Sequence, residues 1–163
     1  MTTTAPVANA AATKLDKRIL DESYGPGAWH GADLKAALAD VSPEQAFWRP
    51  GAGRHNIAEI ALHHAYCARS VRGRLLGVTP EPFLLEGDDW FALSNETTIG
   101  WSTVLATVDA EQQKLGQTVA DLGRGVVTSP LTDDERFDLI LGIACHAIYH
   151  AGQVQLIKVL RAG

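Results

Sequence analysis

Two histidines near the end of the chain, His146 and His150, stand four residues apart in a stretch that is predicted to be helical. Residues at i and i+4 of a helix lie one turn apart on one face, so both imidazoles could reach one metal ion at about 2 Å. Two histidines buried side by side would repel each other if both were charged. The pair therefore favours the neutral rings that bind metals. The pair therefore indicates half of a metal site, with two histidines that merely pack in the core as the alternative. The flanking residues are apolar: Leu139, Ile140, Leu141, Ile143 and Ile148.

A third ligand must come from another segment, because a divalent ion in a protein normally has at least three protein ligands. The adjacent residues His63 and His64 supply two candidates in a second predicted helix. On a helical wheel, His64 falls near the middle of the apolar stripe and His63 at its edge. Periodicity alone slightly favours His64, but an edge position suits a ligand in a cleft open to solvent. The residues by themselves leave both histidines open as the third ligand.

Two further side chains lie one turn from His63, Glu59 before it and Cys67 after it. Glu59 could orient the imidazole of His63 or accept a proton, which makes it the candidate catalytic residue. It could equally close a capping box with Asn56, three residues earlier. Cys67 could be an extra ligand, although a small buried apolar residue is the favoured interpretation. Tyr149 and Gln153, which flank the histidine pair, could line a pocket or simply pack.

Helical periodicity and helix start and stop signals predict the elements that must position these residues. No alternation typical of strands and no internal repeat occurs, so we expect an all-α fold, a helical bundle with a short extra N-terminal helix. A long crossover connection over 77–95 holds Trp90 and Phe91, whose bulk should fix it to the body. Residues 1–12 are expected to be a disordered tail and residues 13–163 a single domain. The predicted helices are 13–24, 30–42, 56–76, 96–122 and 133–161.

The composition excludes several classes of protein. With 163 residues and 46% hydrophobic residues, the chain suits one compact domain. A net charge of −5 gives no general attraction to nucleic acids or anionic membranes, and Arg69, Arg72 and Arg74 are expected to form a solvated face. The two cysteines are expected to be reduced, and the start of the chain lacks the pattern of a secretory signal. Since no apolar run approaches the roughly 18 residues of a membrane helix, we expect a cytoplasmic protein without a membrane partner.

Five segments together resemble the DinB-like (DinB/YfiT) proteins, and the resemblance extends from about residue 15 to the end of the chain. It implies a bundle of four antiparallel helices in an up-down-down-up arrangement, commonly dimeric. The segments are Ala28 to His30, Phe47 to Gly51, His55 to Tyr66, Gly87 to Phe91 and His146 to Val154.

The resemblance also implies a divalent metal ion, usually nickel or zinc, held by three histidines. One ligand lies seven residues after the small polar residue that opens its helix, and Asn56 plus seven is His63. The implied ligands are therefore His63, His146 and His150, with His64 as the fallback.

Relatives of this kind imply two classes of function. The first is a metal-dependent enzyme in stress or detoxification that acts on a small molecule, either as a transferase or isomerase that uses a low-molecular-weight thiol or as a hydrolase. The second is a non-catalytic protein that binds a metal or a small molecule. The sequence does not choose between them.

Overall fold

The computed structural model describes residues 10–162, and this range contains six α-helices and no strand. The all-α prediction is therefore confirmed for the described residues. The predicted tail falls mostly outside them, at residues 1–9, whereas residues 10–12 are helical and belong to α1. The helices are α1 Ala10–Tyr24, α2 Leu34–Leu38, α3 Pro43–Phe47, α4 Ile57–Leu76, α5 Trp101–Gly123 and α6 Asp133–Ala162.

The four longer helices form the body of the molecule. Helices α1 and α4 both pack against α5 and α6, so the two pairs alternate around a helical bundle. The N-terminal helix is thus part of this bundle, and the additional short helices are α2, which packs on α6, and α3, which packs on α4. The up-down-down-up order of the helix directions stays a prediction.

Asn56 fixes the start of α4, which carries two of the candidate ligands. Its side-chain oxygen accepts a hydrogen bond from the Glu59 N–H at 2.9 Å, as an N-cap residue should. Its amide nitrogen donates to the carbonyl of Leu93 at 2.5 Å and lies 3.4 Å from that of Phe47. Asn56 therefore caps α4 and also ties two loops to it. Only this half of the predicted capping box forms among the described residues, because the Glu59 carboxylate binds other partners.

The connection between α4 and α5 covers residues 77–100 and is attached to the body at several points. Phe91 and Leu93 are buried in the main core cluster. Helix α5 begins at Trp101, five residues later than predicted, because Glu96 stays outside the helix and its carboxylate accepts the Trp101 N–H at 3.0 Å. Gly100 at the N-cap position has no side chain to do this.

The arginines of α4 hold this connection in place. Arg72 donates to both carboxylate oxygens of Glu81 at 2.6 Å, and its side chain is only 12% exposed. The Nε of Arg69 donates to the Glu81 carbonyl at 2.6 Å. The prediction of a solvated basic face is therefore wrong for Arg69 and Arg72, since a predicted loop residue supplies their partner.

Helix α6 is the one helix in the described part of the chain that is long and apolar enough to span a membrane by length and composition alone. From the sequence, no apolar segment long enough to span a membrane was expected. The finding is weak, because a core helix passes the same test, and α6 packs against α1, α2 and α4. The cytoplasmic location stays a prediction.

Gly73 lets α4 approach the following turn closely, and replacing it with alanine should destabilise the protein. A Cβ atom there would lie 2.8 Å from the Pro80 Cγ and 2.9 Å from the Val78 carbonyl oxygen, both in a turn that folds back onto α4. We expect Gly73→Ala to lower the free energy of unfolding by about 1–3 kcal/mol, although alanine is the better helix former by about 1 kcal/mol. Urea denaturation measures the effect.

The matched control is Gly116→Ala in α5, where the new Cβ would have no neighbour within 4 Å. Helix propensity should then dominate, so this variant should gain up to about 1 kcal/mol. Equal stability changes in the two variants would contradict the packing argument.

Candidate metal centre

Histidines from α4 and α6 meet in the interior of the bundle. The Nε2 of His146 lies 3.0 Å from the Nε2 of His63 and 3.0 Å from the Nε2 of His150. The Nε2 of His146 thus lies close to the same ring atom of each of the other two side chains implied as ligands. Nitrogen ligands about 2.0–2.1 Å from one ion lie about 3 to 3.5 Å from each other, so each of these two pairs has a separation that suits a shared ion.

The ring of His63 is held by the connection between α4 and α5. Its Nδ1 lies 2.9 Å from the carbonyl oxygen of Asp89 and 3.1 Å from a carboxylate oxygen of the same residue. Asp89 has φ 65, a left-handed conformation that aspartate tolerates better than most residues. Because both neighbours of Nδ1 are acceptors, the proton of the neutral ring belongs on Nδ1 and the lone pair on Nε2.

His150 is oriented in a similar way from its own helix. Its Nδ1 lies 2.6 Å from the side-chain oxygen of Gln153, whose amide nitrogen donates to the Tyr149 hydroxyl at 3.1 Å. The Nδ1–H of His150 is thus satisfied, and its Nε2 is free to bind. Tyr149 is 63% exposed, whereas His150 itself is only 3% exposed.

His64 lies on the other side of His146. Its Nδ1 is 3.4 Å from the Nδ1 of His146, and its Nε2 is 3.3 Å from the side-chain oxygen of Gln112 on α5. With 1% exposure, His64 is the most buried of the four rings. The structure therefore brings both members of the His63-His64 pair to His146, but at opposite edges of its ring.

Burial makes these rings difficult to charge. It lowers the pKa of His64 to about 3 and that of His146 to about 4, and the neighbouring histidines lower both further. The pKa of His150 is lowered by the same cause. Unprotonated rings with lone pairs are the form in which histidine binds a metal.

Cys67 is a fourth candidate ligand. Its Sγ lies 3.8 Å from the Nε2 of His63, and together with His63 and His146 it forms a group whose ligand atoms all lie within 4.8 Å of one another. Burial, followed by the nearby Asp89 carboxylate, raises the pKa of the thiol to about 12. The side chain also packs against the smaller core cluster, in line with the apolar interpretation. A His63-Cys67-His146 group could hold a metal ion.

The carboxylate of Glu59 is buried and fully engaged. It accepts hydrogen bonds from Arg49 at 2.5 and 3.1 Å, from the Nδ1 of His55 at 2.9 Å and from the Leu93 N–H at 2.9 Å. Burial would raise its pKa, but these donors outweigh burial and lower it. Four hydrogen bonds fill the accepting capacity of a carboxylate, and no contact with His63 occurs among the described residues. Whether Glu59 takes part in catalysis stays a prediction.

Trp90 covers one face of His63. Its ring stacks on His63 with centroids 3.9 Å apart and on His55 with centroids 3.7 Å apart, both nearly parallel. The indole is thus held between two imidazoles, and it remains 36% exposed. The sequence predicted only that Trp90 would fix the connection to the body. In the structure it also restricts the ring plane of a candidate ligand.

Sequence reasoning missed the partners that orient the rings. Asp89 lies in a loop, 26 residues from His63, and Gln112 lies on α5, whereas its partner His64 lies on α4. The only available signal was for Gln153, which stands three residues after His150 and was named as a possible pocket residue. His30, which was not expected to be a ligand, lies away from the cluster and contacts the Glu22 carbonyl.

One of three comparisons with known proteins found a match. The sequence profile of the DinB superfamily matches residues 27–154, a range that contains all four clustered histidines as well as Asp89 and Trp90. No curated protein and no solved structure was found to match the chain. Since the match spans well over half of the sequence, the chain belongs to the DinB superfamily.

Proposed function

We propose that the protein binds one divalent metal ion, nickel or zinc, through His63, His146 and His150, and that it is an enzyme that uses this ion to activate a low-molecular-weight thiol. The observation that carries the proposal is the 3.0 Å approach of His146 Nε2 to the Nε2 atoms of both other rings. Two ring nitrogen atoms this close repel each other unless a proton or a metal cation lies between them. The acceptors at Nδ1 of His63 and His150 support the view that both Nε2 atoms carry lone pairs.

The chemistry of the cluster and its aromatic neighbour support a small-molecule reaction at this site. A divalent ion on three neutral imidazoles keeps its charge and lowers the pKa of a bound thiol or water. Trp90 stacks on His63 and is partly exposed, so it offers aromatic surface to an apolar electrophile. The sulfur would attack the electrophilic carbon, the leaving group would depart with its electron pair, and the thiol proton would pass to solvent.

Glu59 bears on the choice between sulfur and oxygen as the nucleophile. Hydrolysis on a metal is usually assisted by a general base close to the bound water, and the predicted base is occupied by four hydrogen bonds. A thiol has a pKa of about 8.5, far below that of water, so the charge of the ion can activate it without a base. We therefore propose thiol transfer ahead of hydrolysis, in a stress or detoxification role.

The engaged Glu59 also supports a positioning role for this residue. It binds His55, His55 stacks on Trp90, and Trp90 stacks on His63. The same observation favours the alternative function, a non-catalytic protein that binds a metal or a small molecule, because it leaves the cluster without a free base.

The metal content should be close to one divalent ion per chain in protein purified without a nickel column. We expect His63→Ala, His146→Ala and His150→Ala each to lose most of this metal, as measured by elemental analysis. His30→Ala is the matched control, because it removes a histidine outside the cluster and should leave the content unchanged. Cys67→Ser tests the thiol, and full retention would show that the sulfur is not required. Wild-type protein that holds no metal under any loading condition would contradict the proposal.

Two substrate panels, tested on the metal-loaded protein, distinguish thiol transfer from hydrolysis. The first combines bacillithiol, mycothiol or glutathione with an aryl halide, and the second contains esters and amides. We expect turnover in the thiol panel, lost in His146→Ala and retained in His30→Ala. Turnover in the ester and amide panel alone would show a hydrolase. No turnover in either panel would favour the non-catalytic function.

We also propose that the protein is a homodimer that buries the outward face of α6. Several apolar side chains on this face are exposed at helical spacing, which is typical of an unpartnered interface. The helix begins with three acidic residues and has a basic residue in its last turn, so an antiparallel partner helix would bring opposite charges together. The exposed apolar residues are Leu141, Tyr149, Leu156, Val159 and Leu160.

Light scattering during size-exclusion chromatography tests the dimer. We expect twice the chain mass for the wild type and a monomer for Leu156→Lys, because a charge would then be buried at the interface. Val126→Lys is the control, since Val126 is equally exposed but lies outside α6. A monomeric wild type at every concentration would rule out the dimer.

A further inference from the structure

His64 has no part in the proposed set of ligands, yet it is almost completely buried. A polar ring in the core is costly unless its nitrogen atoms are hydrogen-bonded. The ring has one neighbour for each nitrogen atom, the side-chain oxygen of Gln112 at Nε2 and the Nδ1 of His146 at Nδ1. Both neighbours come from other helices, so His64 connects α5 to α6 through the middle of the bundle.

The chemistry of these neighbours gives the direction of each hydrogen bond. The amide oxygen of Gln112 can only accept, so the proton of the neutral His64 ring lies on Nε2. The Nδ1 of His64 is then an acceptor, and the Nδ1 of His146 must be the donor. With its proton on Nδ1, His146 has a lone pair on Nε2, the atom that lies 3.0 Å from both His63 and His150.

We propose that His64, oriented by Gln112, is a positioning residue that keeps the proton of His146 on Nδ1 and so presents the Nε2 lone pair to the metal. The inference rests on the proposed function only in taking His146 as a ligand. It also gives the adjacent histidines different tasks. Consecutive residues of a helix point about 100° apart, so His63 can reach the Nε2 edge of His146 while His64 reaches its Nδ1 edge.

The hydrogen-bond partner at Nδ1 of His146 differs in kind from the partners that orient His63 and His150. His63 and His150 donate to oxygen atoms of Asp89 and Gln153, which are acceptors by their chemistry. The partner at Nδ1 of His146 is instead a second imidazole, which could either donate or accept. Gln112 removes this ambiguity, since a partner at the far nitrogen decides which tautomer His64 adopts.

Nuclear magnetic resonance of protein labelled with ¹⁵N-histidine reads this tautomer directly in the metal-free state. Two-bond couplings distinguish a protonated Nδ1 from a protonated Nε2 for each ring. We expect wild-type His146 to be protonated on Nδ1. In His64→Leu, which has no acceptor, this preference should disappear and zinc affinity should fall by about 10–100-fold, as losses of such partners typically do. Competition with a chelator measures the affinity.

His64→Asn provides the rescue, because its side-chain oxygen can occupy the place of the imidazole Nδ1 and accept the same proton. We expect it to keep His146 protonated on Nδ1 and to bind zinc within about threefold of the wild type. Equal losses in His64→Asn and His64→Leu would overturn the proposal and leave a packing role.

A second pair of variants covers the case in which changes at His64 prevent folding. Gln112→Met keeps the shape but removes the acceptor, and Gln113→Met makes the same change at the exposed neighbouring residue. We expect only Gln112→Met to mix the tautomers of His146 and to weaken zinc binding. A normal His146 tautomer in Gln112→Met would overturn the role of Gln112. If wild-type protein binds no metal, the proposed function fails, while the tautomer measurement still decides this inference.

Discussion

The buried carboxylate of Glu59 is the interaction on which the arrangement of the site depends. A charged group with 2% exposure is tolerated only if its hydrogen bonds replace water, and here Arg49, His55 and the Leu93 backbone do so. These donors come from the loop before α4 and from the connection after it. Glu59 therefore binds both loops to the first turn of the helix that carries His63. The connection that contains Leu93 also carries Asp89 and Trp90.

The candidate metal centre shows a second constraint of the same kind. Lone pairs can converge only if the proton of each ring is held elsewhere, so each proposed ligand needs an acceptor at its Nδ1. Asp89 serves His63, Gln153 serves His150, and His64 serves His146. These acceptors come from a loop, from the same helix and from the facing helix. The cluster thus depends on packing around its whole circumference, and not on the spacing of the ligands alone.

Local signals were reliable where they depended on one segment of chain. Asn56 and Gly77 determine the ends of α4 through hydrogen bonds to its own backbone. Both are residues typical of helix ends and were recognisable as such in the sequence. The spacing of His146 and His150 likewise follows from the helix repeat. The start of α5 was misplaced because Glu96 resembles a first-turn residue in the sequence, although it contacts the helix from outside. Arg69 and Arg72 were misjudged because their partner lies in the following loop.

The sequence by itself determined the helical class, the bounds of α4 and most of α6, and the candidate histidines, because these depend on periodicity and on contacts within a few residues. Only the tertiary structure decided which edge of His146 meets His63 and which meets His64. It also decided that Glu59 is occupied by Arg49 and His55 and that Asp89 and Gln112 orient the rings. Such partners are distant in sequence and are selected by how the helices and loops pack, so no spacing rule could identify them.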